Sequence, residues 1–188
     1  TTLQADDDVI FGANGDVTAT AGANITITAD VDAVADGASG AVTMADGTVV
    51  NSGTGQIDID ADEDIALGEL ITTNATATAV DVNSVNGAIT DINRDDLNID
   101  ANQAGAIVTL RAETGIGNGD ALETRMAQVD AVNDTSGNIE IDEVDALLVT
   151  QLTNTTAGAV LLETGGYTEV LALGGGISTG DASQILVE

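Results

Sequence analysis

The sequence predicts an all-β fold: a right-handed parallel β-solenoid with irregular coils of about 20–30 residues. Three observations predict it. Apolar and polar residues alternate with period two over much of the chain. One passage recurs at a fixed interval. The composition suits stacked coils better than a globular core.

Alternation runs through DVTATA (16–21), NITITAD (24–30), QIDIDAD (56–62), NATATAVDV (74–82), DLNIDAN (96–102) and NIEID (138–142). Apolar side chains fall on one face and Thr, Asp or Asn on the other, as in strands buried on one side. Helical spacing is weak. DALETRMAQVDAV (120–132) places Leu122, Met126 and Val129 four and three apart, but it also reads as strand, and strand is the reading adopted.

The recurring passage is VDAVADGASGAVTM at 31–44, VDVNSVNGAITDI at 80–92 and VDAVNDTSGNIEID at 129–142. Its copies start at Val31, Val80 and Val129, a super-repeat of 49 residues, with a degraded fourth echo in GDASQILV (180–187). Glycines open apolar segments at Gly15, Gly40, Gly55, Gly87, Gly105, Gly137 and Gly158, so that long and short units alternate. A unit that cannot bury its own apolar face does so by stacking on a copy of itself. Seven to nine such coils, at roughly 4.8 Å each, make a rod on the order of 40 Å tall.

Composition agrees. Apolar residues make up 43% but aromatics only 1%, namely Phe11 and Tyr167, so the core is built from small aliphatic side chains. Proline is absent, which leaves backbone ladders uninterrupted, and 22 glycines supply corners. An antiparallel β-sandwich is the competing fold. It would show tight two-residue hairpin turns and aromatic-rich faces, and these are scarce here. One domain covers residues 1–188, expected to be uncapped at both ends. The opening TTLQADDD is acidic where a secretion signal is basic, and SQILVE reads as a strand stopped short, so a processed product or a section of a longer chain is expected.

The chain carries 32 carboxylates against three cations, Arg94, Arg111 and Arg125, for a net charge of -29. Such a surface repels phosphate backbones and anionic lipid, so neither nucleic acid nor a membrane is an expected partner, and divalent cations are. No apolar run reaches the ~18 residues of a membrane span. Without cysteine or histidine, thiol nucleophiles, zinc sites and imidazole bases are excluded. Abundant aspartate without lysine suits a salty medium, where screening offsets self-repulsion.

TGIGNGDALETRMAQVDAVNDTSGNIEID (114–142) resembles the repeats of giant secreted bacterial proteins of the filamentous haemagglutinin type. The resemblance rests on Gly115-Ile116-Gly117, Leu122-Glu123-Thr124 and Ser136-Gly137-Asn138-Ile139-Glu140-Ile141, with weaker copies over most of 15–188. It implies a secreted β-helical stalk that projects adhesive or matrix-forming parts from a cell. The motif is specific for the coil and says little about a ligand.

The sharpest candidate for metal chemistry is DIDADEDIALGE (58–69). Asp58, Asp60, Asp62, Asp64 and Glu69 occupy positions 1, 3, 5, 7 and 12 of a Ca²⁺ loop. Its sixth position is Glu63 where glycine should turn the chain, and no amphipathic helix flanks it, so an acidic strand followed by a turn is the plainer reading. GIGNGDAL (115–122) is one residue out of step with a calcium-binding nonapeptide and reads as a glycine-rich corner. Asp6-Asp7-Asp8 reads as a solvated charge run. Paired carboxylates are too abundant to mark a glycosidase site, aromatic sugar platforms are missing, and Arg94 and Arg111 are the only bases at hand. Asn24, Asn74, Asn133 and Asn154 lie in Asn-x-Thr sequons.

The expectation is a non-enzymatic, extracellular structural protein: part of a fibre, filament or adhesin stalk in a cell-adhesion or biofilm-matrix setting. It needs no cofactor. Its expected partners are further coils of the same kind, cell-surface or matrix components, and Ca²⁺ or other divalent cations. The alternative is a calcium-dependent adhesion or glycan-binding module.

Overall fold

The structure is a computed structural model that describes residues 1–30, 40–94, 96–170, 176–180 and 184–188. These residues form a parallel β-solenoid of about seven turns. Apart from a single 3-10 turn at Thr20–Gly22, their regular structure is all strand.

Each coil visits up to three sheets. The first face stacks Thr2–Gln4, Ile25–Thr28, Ile57–Ala61, Val80–Ser84, Val108–Ala112, Gln128–Asn133 and Leu147–Asn154, with Thr168–Val170 and Gly176–Thr179 both pairing with the last of these. The second face stacks Val9–Phe11, Val42–Met44, Ile65–Leu67 and Ile89–Asp91. The third stacks Val17–Thr18, Val49–Gly53, Glu69–Thr72, Ile99–Ala101, Leu122–Met126, Ile139–Glu143, Val160–Thr164 and Ile185–Val187. Every pairing among them is parallel.

Register turns the alternation into columns of like side chains. Inside the first face runs Leu3, Ile27, Ile59, Val82, Leu110, Ala131, Leu152, Ile177. Inside the second runs Val9, Val42, Ile65, Ile89, Ile116, Ile139, Val160, Ile185. Most of these side chains are buried, and the half-buried Leu3, Val9 and Ile177 pack against the same cluster. Each β-branched residue thus meets another of similar shape one rung away, which fills the core without aromatic rings.

The outward column Thr2, Thr26, Asp58, Asp81, Thr109, Asp130, Gln151 measures the coils. Successive coils hold 24, 32, 23, 28, 21 and 21 residues. The later coils are shorter for a visible reason. Ile116 joins the second-face column only as an isolated bridge between Ile89 and Ile139. Ile139 and Val160 then begin strands that carry on into the third face. The cross-section changes from three-sided to two-sided as the second face merges with the third.

The super-repeat is two coils. Val80 and Val129 sit on the first face with Val108 between them. The Gly-x-Val/Ile ending of each copy supplies Val42, Ile89 and Ile139, alternate members of the second-face column, and Ile185 of the fourth echo is next in that series. Val31 lies outside the described residues; the position two coils beneath Val80 is held by Ile25.

DALETRMAQVDAV is strand, divided into Leu122–Met126 and Gln128–Asn133 by a corner at Ala127. The alternation misleads at NATATA (74–79), which is a turn. The Asn74 side chain accepts bonds from the Thr76 backbone N–H (2.8 Å) and hydroxyl (2.7 Å), and such local bonds compete with a ladder. The strand-opening glycines also mark more than one corner: Gly55 and Gly105 precede first-face strands, Gly15 a third-face strand.

Candidate functional site

Outside the first face, Asp58, Asp81 and Asp130 share one column, and the next reads Thr28, Asp60, Asn83, Arg111. Burial raises the carboxyls of Asp58 and Asp81 above the ordinary aspartate range, and the charge of Asp60 beside both adds to it. The charge of Arg111 partly offsets this at Asp81, and Arg111 pairs with Asp130 at 2.9 Å while donating to the Leu110 and Asp130 carbonyls. On the third face Arg125 grips Asp100 with two guanidinium nitrogens. Arg111 and Arg125 thus each pair with a neighbouring carboxylate.

The five carboxylates of the calcium pattern are strung around the coil. Asp58 and Asp60 point outward from the first face. Asp62 accepts from the Asn86 amide at 2.9 Å, and Asp64 from the Ala88 backbone at 2.8 Å, both at the following corner. Glu69 stands on the third face, beyond the whole second-face strand Ile65–Leu67. Without a glycine at position six, the segment continues as strand and corner instead of wrapping into a loop. Among the described residues, no three or more Asp or Glu side chains are arranged to hold a metal ion.

The most unusual group was not singled out by motif. In the inward third-face column Val17, Val50, Leu70, Ile99, Thr124, Glu143, Thr164, a carboxylate takes an aliphatic position. Glu143 is 0% exposed. It accepts from the Thr124 hydroxyl (2.9 Å), the Met126 N–H (2.8 Å) and the Asp145 N–H (3.0 Å). It thereby ties one coil to the next and closes the corner at Asp145. The signal was present: extending the alternation of Ile139 and Ile141 by one step points Glu143 inward. The Asn98 amide is likewise fully buried, and its Nδ2 lies within hydrogen-bond reach of Asp91, Asn93 and the Leu67 carbonyl. Alternation points it outward, but its partner Asn93 precedes the strand and meets it at 2.9 Å.

Burial pushes the Glu143 carboxyl up to about 7 despite those three bonds, and burial together with nearby Asp91, Asp120 and Asp142 pushes Glu123 up to about 7. Each proton is held more tightly in the folded chain than in the unfolded one, whose glutamates titrate near 4.5. The resulting stability is complete below about pH 4.5 and is lost as pH rises through about 7. Melting temperature should therefore rise from pH 8 to pH 5. General relief of acidic repulsion acts in the same direction, so Glu143→Gln isolates the effect: its melting temperature should depend less on pH in that window. An unaltered slope would remove Glu143 as a source.

The sequons separate by burial. Asn133 and Asn154 form a buried amide ladder at the first corner, joined at 2.7 Å and bonded to the Gly137 and Ala159 carbonyls. They are closed to glycosylation in the folded chain. Asn24 is exposed and Asn74 half-buried. Comparison with protein-family models, curated proteins and solved structures finds no match to this chain. What the molecule itself shows is a solenoid repeat protein.

Proposed function

We propose that this chain is a non-catalytic structural element, a section of an extracellular fibre or adhesin stalk of the filamentous haemagglutinin type. The observation that carries this reading is the second-face column from Val9 to Ile185, which passes through every coil. A rod whose rungs are joined by continuous backbone ladders resists bending and stretching along its axis. Its working property is length and stiffness, and the acidic coat keeps neighbouring rods apart or lets divalent cations bridge them.

Further coils extend the rod at either end, from the same chain or from another copy. Val9 at one end and Ile185 at the other belong to one column and offer like side chains to the next rung. Electron microscopy of purified material tests this: filaments or elongated rods are expected, and compact globular particles would contradict it. Calorimetry with Ca²⁺ addresses the adhesion-module alternative. The rod reading expects weak, non-stoichiometric binding; saturable binding with a large rise in melting temperature would overturn it in favour of a calcium-dependent module.

A further inference from the structure

The outer surface of the third face carries an acidic column beside two outward leucines. In one outward column, Glu123, Asp142, Glu163 and Glu188 stand on four consecutive rungs. Glu188 belongs there because its N–H donates to the Leu162 carbonyl while its own carbonyl accepts from Thr164, which sets it level with Glu163. Like charges one rung apart repel, and no arginine side chain is paired into this column. In the adjacent outward column the rungs read Glu140, Leu161, Leu186. Two leucines thus face outward where alternation calls for polar residues. Together with Ala121 they floor a groove of about 180 Å³ bordered by Asp142, Glu163 and Glu188.

We propose that this groove is a docking surface for a basic amphipathic α-helix of another protein, laid along the rod axis. The spacing favours a helix. Carboxylates recur about every 4.8 Å up the rod, and side chains along one row of a helix recur about every 5.4 Å. Over four rungs the mismatch is roughly 2 Å, within the reach of lysine or arginine. A row of cations then meets the acidic column while the neighbouring apolar row covers Leu161 and Leu186. Charge excludes a second copy as the occupant, since this chain has three cations in all and two of them are paired internally.

The test uses the whole chain and a capped helical peptide of about four turns, with one row of lysines, an adjacent row of leucines and alanine elsewhere, at about 0.15 M salt. Binding is expected to weaken about tenfold or more when the leucine row becomes serine, and likewise for the Leu161→Ser/Leu186→Ser chain. Asp142→Asn/Glu163→Gln should weaken it by a similar factor, while Asp58→Asn/Asp81→Asn on the first face should change it less than about twofold. These side chains face outward, and unchanged melting temperatures show that the variants fold. Affinity that follows total charge alone, equal for both acid pairs and indifferent to either leucine replacement, would overturn the proposal.

Discussion

Gly158→Ala should destabilise the protein by about 3 kcal/mol or more, the largest effect expected of a single added methyl group. Gly158 has φ +123, and a Cβ there would collide with the Gly137 carbonyl oxygen and lie 2.8 Å from the Asn154 amide nitrogen. Gly137 itself has φ +83, and a Cβ there would run into the Thr114 carbonyl. The two glycines lie on successive coils at the corner that the Asn133–Asn154 ladder closes, so neither backbone can retreat without breaking amide bonds. Gly119 is the control. Its φ is +92 but nothing approaches within 4 Å. Gly119→Ala should cost only the left-handed backbone penalty, about 1–2 kcal/mol. Denaturant unfolding of the two variants measures the difference, and equal losses would show that the corner is not closely stacked.

Ile139→Ala should cost about 2–5 kcal/mol. Ile139 is fully buried and belongs to the second-face column, with Ile116 below and Val160 above. It also begins the strand in which second and third faces merge, so the cavity opens where two sheets share one strand. Ile10 is the same residue type, placed on a second-face strand but 71% exposed. Ile10→Ala should stay within about 0.5 kcal/mol of the unmodified chain. A small loss at Ile139, or a comparable loss at both positions, would refute the column.

Fold was legible in this sequence because period-two alternation and repetition both survive in the backbone. The Gly-x-Val/Ile endings predicted stacking, and Val42, Ile89 and Ile139 do stack in every second coil, with Ile185 of the degraded echo next in the series. Coil length was less legible. Loops of different size separate identical rungs, and the narrowing of the coil depends on a short connection around Ile116 that no period reveals. Thr76 and Thr78 show how alternation fails: small polar side chains next to Asn74 bond locally as readily as they line a strand. The calcium pattern is ambiguous for a related reason. Aspartates at every second position are what a strand with an acidic outer face also produces, and only a glycine turn distinguishes a loop. Glu143 could have been found by carrying the inward register one step further, whereas the burial of Asn98 depends on chain remote from its own strand pattern.

The central claim is that the coils of one chain lie directly over one another. Because the sequence contains no cysteine, pairs of spin labels can be placed at single introduced cysteines without background. Labels at Thr26 and each of Asp81, Thr109, Asp130 and Gln151 occupy one outward column at two, three, four and five rungs. Pulsed electron resonance should return separations that lengthen steadily by about 4.8 Å per rung, reaching roughly 24 Å at Gln151. Separations that rise and fall along the series, as strands folded back into an antiparallel sandwich would give, would contradict the account.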